Sequence, residues 1–135
     1  MPISTKREKE NKHSENGKTV LYTSGNGNIK IKYAYINNQP YPIKEGDTII
    51  SFLRRHTGKD AVPTLCDAPN LDPFGSCRVC SVDVALVEDG PSKAQASCHT
   101  PIIEGSYIYP DSERIQKLRK NIIELVLTDH PLDCL

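Results

Sequence analysis

The placement of the cysteines restricts this chain more than any other feature. Four of the five fall at Cys66, Cys77, Cys80 and Cys98, in the spacing Cys-x10-Cys-x2-Cys-x17-Cys, and the fifth is Cys134. Thiolates are strong ligands for soft and borderline metals. A Cys-x2-Cys pair can set two sulfurs on one metal without strain, and the fold must then bring in the rest. The opening, Met-Pro-Ile-Ser-Thr-Lys-Arg-Glu, continues polar and has no apolar stretch of the kind a secretory leader needs. That points to the cytoplasm, where thiols stay reduced and stable disulfides are rare. An odd cysteine count also fits pairing into bridges poorly. Metal ligation or thiol redox chemistry is therefore the expectation.

The segment that holds the first three cysteines narrows the chemistry. From Val62 to Cys80 the chain carries Pro63, Pro69, Pro73 and Gly75 and shows little periodicity. A structured loop of that length in a small domain usually serves a function. Gly75 lets the backbone come close to a bound group. The successive N–H groups from Ser76 to Val79 suit an anion-binding nest. Arg78 either adds positive charge there or is a solvated side chain. A [2Fe–2S] cluster takes four thiolates, which matches this set. The serious rival is a tetrahedral zinc site with four cysteine ligands and no redox role, but zinc sites usually show two Cys-x2–4-Cys knuckles and this chain has one. Cysteines as small buried apolar residues are a further alternative. So is a thiol–disulfide pair at Cys77 and Cys80, although such pairs usually open a helix after a strand. Spacing alone leaves iron–sulfur and zinc close.

The rest of the chain supplies a scaffold. Its 135 residues suit about one domain of ~100–150 residues. Residues 1–28 are polar and Gly-rich and read as a mobile tail. The run Ser24-Gly-Asn-Gly-Asn28 lacks the Gly-Lys-Ser/Thr ending of a phosphate loop. Ile29, Ile31, Tyr33 and Tyr35 alternate with polar or small residues, the period of a strand. Asn37-Asn38 then turns the chain into a return strand from Gln39 to Lys44. Asp47 is placed to cap a helix from Thr48 to Thr57, with Gly58 just past its end. Ser81–Val87, Lys93–Ser97 and Gly105–Tyr109 read as strands. Asp111 or Ser112 caps a second helix, with Ile115, Leu118, Ile122 and Leu125 in one stripe and Ile123, Val126 and Leu127 widening it. Pro131 stops it. That stripe is broad enough to pack on the domain or on a partner. Helix and sheet mix without a βαβαβ repeat, so the class is α+β.

Charge and composition exclude other functions. The 17 basic residues balance 17 acidic ones, so the chain has no overall basic field for nucleic acid. Two Phe and no Trp leave few platforms for stacking bases. No apolar run approaches the ~20 residues of a transmembrane span. No Ser/His/Asp set and no paired catalytic carboxylates can be placed, so no catalytic residue is assigned.

Two longer phrases carry a resemblance. Pro73-Phe-Gly-Ser-Cys-Arg-Val-Cys80 followed by Ala96-Ser-Cys-His-Thr-Pro101 resembles the N-terminal [2Fe–2S] ferredoxin-like domain of a group of electron-transfer subunits. The group comprises the large iron–sulfur subunit of NADH–quinone oxidoreductase, NAD-linked formate dehydrogenase alpha subunits, and iron–sulfur subunits of NAD-linked and iron-only hydrogenases. Val62-Pro-Thr-Leu-Cys66 is similar to the family's lead-in to its first ligand. The resemblance, which runs from about residue 29 to 135, implies that Cys66, Cys77, Cys80 and Cys98 ligate the [2Fe–2S] cluster. It implies a β-grasp (ubiquitin-like) ferredoxin domain over 29–110, followed at 111–135 by an amphipathic helix and the start of a further motif. That motif begins in Leu125-Val-Leu-Thr-Asp-His-Pro-Leu-Asp-Cys134, which resembles the entry to a [4Fe–4S] site, His-x3-Cys-x2-Cys-x5-Cys. His130 and Cys134 match its first two ligands and the last two are missing, so the chain is expected to be a piece of a longer subunit and to hold no [4Fe–4S] cluster by itself.

The function that follows from the resemblance is electron relay inside a larger oxidoreductase. The implied partners are a flavin/NAD subunit on one side and a molybdopterin or hydrogenase catalytic domain, or further clusters, on the other. Such a complex is cytoplasmic, at most peripheral to the inner membrane. Residues 83–97, with Glu88-Asp-Gly-Pro91 and Lys93-Ala-Gln-Ala-Ser97, favour the formate dehydrogenase branch. His99, next to Cys98, is a candidate neighbour of the cluster, or simply a surface imidazole.

Overall fold

A computed structural model describes residues 14, 15, 18, 19, 31–131 and 133. Two compact units emerge, residues 1–30 and residues 31–135. In the first, β1 (Ser14–Glu15) pairs antiparallel with β2 (Lys18–Thr19). The rest of the tail expected over 1–28, and Cys134, lie outside the described residues.

The second unit starts with a hairpin of β3 (Tyr33–Ile36) and β4 (Gln39–Pro42). Asn37 and Asn38 turn it with φ of 48° and 67°, the positive pair that a two-residue hairpin loop needs. Helix α1 (Ile49–Thr57) follows. After the long loop come β5 (Ser81–Ala85), β6 (Ser92–Ala96), β7 (Tyr107–Tyr109) and helix α2 (Glu113–Thr128). The sheet order is β4-β3-β7-β5-β6, with β3 and β7 parallel and every other pairing antiparallel. A five-stranded mixed sheet with two helices is thus the class that the element order predicts, and a ferredoxin-like one. The two prolines of β4 sit on an edge strand, where proline is tolerated.

The core lies between α1 and one face of the sheet. Ile49, Ile50, Phe52 and Leu53 pack with Ala34, Ile36, Val82, Val84 and Ile108. In β3 the period is as expected but the phase is opposite: Ala34 and Ile36 are buried, whereas Tyr33 and Tyr35 are half-buried. The Tyr35 ring instead stacks on Tyr107 of β7, with centroids 4.4 Å apart and planes 7° apart, on the face away from α1. A tyrosine can cover apolar surface there and still keep its hydroxyl wet. β5 does not alternate in exposure, because all five of its residues are buried. The α1 core covers one of its faces, and on the other Asp83 accepts from Ser112 Oγ at 2.6 Å and pairs with Arg114.

The cap of α1 is Thr48, not Asp47. Thr48 Oγ1 accepts from Ser51 N at 3.3 Å and Ser51 Oγ accepts from Thr48 N at 3.0 Å, a reciprocal capping box. The Asp47 carboxylate accepts instead from Lys44 N at 2.9 Å, from Ser51 Oγ and from both Arg55 Nη atoms. Ser112 caps α2, as one of the two expected residues. Of its stripe only Ile115 is buried; Leu118, Ile122 and Ile123 are half-buried, and Leu125, Val126 and Leu127 are exposed. Burial along α2 therefore falls off from Ile115, and its last turn is open. Among the described residues no helix is long and apolar enough to cross a membrane.

Candidate metal-cluster site

Three segments meet at the cysteines. Cys66 and Cys77 lie in the loop between α1 and β5, Cys80 ends that loop, and Cys98 sits in the turn after β6. Cys80 and Cys98 are each 1% exposed, whereas Cys66 and Cys77 are half-buried. Half of the site thus belongs to the core and half to a surface loop. All four are free thiols.

Local hydrogen bonds hold each segment. Ser81 donates to the Arg78 carbonyl from its N at 3.1 Å and its Oγ at 2.6 Å, closing the Cys77–Cys80 turn, in which Arg78 takes a φ of 63°. The Arg78 side chain is exposed. Ser97 Oγ donates to the Cys80 carbonyl at 2.6 Å, which ties the Cys98 turn to the end of the loop. Thr100 folds that turn by donating to Ala96 O from both N and Oγ1. The first N–H groups of a helix have no partner within it. Here Ile49 N donates to Thr100 O at 2.9 Å and Ile50 N to Ser97 O at 3.0 Å. The start of α1 is therefore satisfied by the Cys98 turn. At its other end Arg54 Nη1 reaches Asp67 Oδ2 at 2.9 Å, next to Cys66.

Backbone amides converge on the sulfurs. The Cys77 N–H, helped by Ser76, is aimed at Cys66 and brings that thiol down to about 7, against the opposing effect of burial. Burial, with Cys80 beside it, pushes the Cys98 thiol up to about 12, partly offset by the Gly75 N–H. The amides directed at sulfur thus include Ser76 and Cys77, from the nest expected over Ser76–Val79, and Gly75 just before it. Gly75 has a φ of 72°, and a Cβ there would lie 3.4 Å from Ala96 Cβ and 3.6 Å from His99 Cβ. The loop is laid closely on the end of β6.

The thiols come as two pairs, Cys66 beside Cys77 and Cys80 beside Cys98, with Cys98 also feeling Cys66. Cys98 N further donates to Cys80 Sγ at 3.5 Å. Among the described residues no three His, Cys, Asp or Glu side chains are arranged around a single metal-ion position. His99 is exposed and packs against Gly75. His130 is exposed just beyond α2, with Nδ1 2.8 Å from Pro131 O. Sequence reasoning missed Ser97 and Arg54 as supports of the site, and Asp47, whose carbonyl accepts from Ile102 N beyond the Cys98 turn at 3.0 Å. A small polar residue directly before Cys98 was the only local signal among them.

Paired thiols with amides aimed at them make a donor set suited to a cluster of iron and sulfide, and the sheet that carries them is ferredoxin-like. The chain belongs to the 2Fe-2S iron-sulfur cluster binding domain family, whose sequence pattern matches residues 33–113. It is 38% identical over 73 residues to the NADPH-Fe(3+) oxidoreductase subunit alpha of Geobacter sulfurreducens, covering 54% of this chain and 8% of that protein. It is 35% identical over 101 residues to an NADH-quinone oxidoreductase subunit of Buchnera aphidicola, covering 74% of this chain and 11% of that protein. The chain thus spans about a tenth of the length of these relatives. Among solved structures, a chain of an NAD+-reducing [NiFe]-hydrogenase superposes with a TM-score of 0.62 at 23% identity, covering 76% of this chain and 41% of that one. That likeness establishes a shared fold.

Proposed function

We propose that Cys66, Cys77, Cys80 and Cys98 are the four ligands of the [2Fe–2S] cluster, and that the chain relays single electrons within a larger oxidoreductase. The observation that carries this reading is that the fold brings the four thiols together, Cys66 beside Cys77 and Cys80 beside Cys98, with Cys98 N donating to Cys80 Sγ and the amides of Cys77 and Gly75 directed at Cys66 and Cys98. When bound, the cluster accepts and returns one electron at a time. The protein's part is to fix the sulfurs, donate hydrogen bonds to them and set how much water reaches them. Cys80 and Cys98 form the dry side. Cys66 and Cys77 form the side that a partner's redox centre can approach.

The fold is a β-grasp domain over residues 29–110, a reading supported by the hairpin, the helix laid on the sheet and the parallel central pair β3–β7. Residues 111–135 then lead toward a [4Fe–4S] site, of which His130 and Cys134 are the first two ligands in a longer parent. The partners are a flavin subunit that handles NAD(P)H and a catalytic centre or further clusters. The name of the Buchnera aphidicola relative favours the NADH–quinone oxidoreductase type, whereas residues 83–97 favour the formate dehydrogenase branch. The complex is cytoplasmic, at most peripheral to the inner membrane.

The test is iron, sulfide and zinc analysis of anaerobically reconstituted protein, with EPR after dithionite reduction. Two irons and two sulfides per chain are expected. Cys77→Ser should strip the visible absorbance and Cys134→Ser should leave it. One zinc without sulfide would replace this reading with a zinc-stabilised binding module, and equal loss in both variants would break the ligand assignment.

A further inference from the structure

Helix α2 reaches the candidate site through one side chain. Arg119 Nη2 donates to the Ser81 carbonyl at 2.9 Å. Ser81 directly follows Cys80, and its own N–H and hydroxyl close the Cys77–Cys80 turn. Arg119 Nη1 meets Asp111 Oδ1 at 3.1 Å, and its Nε is buried without a hydrogen-bond partner among the described residues. The Arg119 side chain is only 12% exposed, whereas that of its counter-ion Asp111 is 63% exposed. Water therefore screens the negative partner more than the positive one. The other arginine joining α2 to the sheet, Arg114, is 56% exposed and pairs with a buried carboxylate, Asp83, so its charge is largely cancelled.

We propose that Arg119 is a positioning residue of the cluster: it holds the backbone that leaves Cys80, keeps a shielded positive charge beside it, and so ties the ease of reduction to the seating of α2 on the sheet. The inference rests on the [2Fe–2S] reading above. Reduction adds one negative charge to the cluster, and a fixed nearby cation favours that state, more so where water is excluded. α2 is seated through Ser112, Arg114, Ile115 and Arg119, with Ile122 and Ile123 half-buried beyond them, while its last turn, from Leu125 to Thr128, lies open. A partner that moves α2 moves this cation.

The experiment is a redox titration of the reconstituted 135-residue chain, followed by EPR, with iron and sulfide counted in each variant. In Arg119→Gln the ratio of reduced to oxidised cluster, read at the wild-type midpoint, should fall several-fold with the cluster content intact. Arg119→Lys, which keeps the charge, should restore most of it. Asp111→Asn lies on the exposed side and is tolerated by the fold; it removes the counter-charge and should raise the ratio. A fully loaded Arg119→Gln with the wild-type ratio overturns the proposal. If Arg119→Gln fails to load, an unchanged ratio in Asp111→Asn overturns it. A wild-type chain that takes up no iron and sulfide would instead remove the [2Fe–2S] reading beneath it.

Discussion

Gly75→Ala separates the strain of a glycine position from the needs of the site. Gly75 has a φ of +72°, and Gly105, on the approach to β7, has a φ of +77°. An L-residue with a Cβ pays about 1–2 kcal/mol in that region. Alanine also stiffens the unfolded chain, which returns a fraction of a kcal/mol. Contacts add little at either place: the new Cβ at Gly105 meets nothing within 4 Å, and at Gly75 it meets Ala96 Cβ at 3.4 Å, close to ordinary contact. Both variants should therefore lose about 1 kcal/mol, near a factor of 5 in the folding equilibrium. They differ in where the strain falls. At Gly75 it falls on the amides that face Cys66 and Cys98, whereas at Gly105 it falls on a loop that hydrogen-bonds Tyr33 O. Urea unfolding gives the stability, and the decay of visible absorbance under a chelator gives the cluster lifetime. Gly75→Ala should lose its cluster several times faster than Gly105→Ala at matched stability. Equal lifetimes in the two variants would refute the role given to the 75–77 amides.

Two further outcomes follow from the packing of α1. Phe52 is fully buried under it, so Phe52→Ala should cost about 3–5 kcal/mol in urea unfolding, and a loss under 2 would mean that the core is packed elsewhere. The hydrogen bonds from Arg55 hold the Asp47 carboxyl below its usual 3.8, against the effect of burial. A carboxylate with a lowered folded value stabilises the fold above the unfolded value and loses that contribution as pH falls through the folded one. Metal-free wild type should therefore exceed Asp47→Asn by about 1–2 kcal/mol at neutral pH, discounted because Arg55 is about a third exposed, and the gap should narrow below pH 3.8. A gap that stays constant down to pH 3 would contradict the ionised pairing.

What could be read in advance was local. Asn37-Asn38 needs positive φ, Gly58 ends a helix, and the loop through Gly75 has no periodicity, so each could be placed from its own neighbours. The misplaced features depend on distant residues. The phase of β3 turns on whether tyrosine or Ala34 and Ile36 faces α1, and that is decided by Tyr107, 72 residues beyond Tyr35, which offers Tyr35 a ring to stack on. Asp47 looks like a cap until Arg55 claims its carboxylate, leaving Thr48 to cap. The stripe of α2 announces a helix that packs on the domain or on a partner, and how much of it the domain takes is again a distant matter: Ile115 is buried, Leu118, Ile122 and Ile123 are half-buried, and Leu125, Val126 and Leu127 are exposed. The four cysteines of the proposed ligand set stand out in the sequence by their spacing, and the choice of iron and sulfide over zinc comes from the resemblance. Of the amides expected to face those thiols, Ser76 and Cys77 do so, and Gly75, which has a φ of 72°, adds one just before them.

The site depends on α1 more than its cysteines suggest. None of the four thiols lies on that helix, but it touches the segments of two of them. Its first N–H groups hold the Cys98 turn, and Arg54 near its end holds the residue after Cys66. Nine residues of helix span about 13 Å and do not stretch. The distance between the buried and the exposed side of the site is thus set by a rigid rod whose own position is fixed by Phe52 and Leu53 in the core. Asp47 links the two functions: its carboxylate binds Arg55 on the helix, while its carbonyl accepts Ile102 N beyond the Cys98 turn at 3.0 Å. A cavity made under α1 should therefore loosen the ligands from below. Phe52→Ala is expected to shorten the cluster lifetime even under conditions where the chain stays folded, and Leu127→Ala, on the open last turn of α2, is expected to leave it alone.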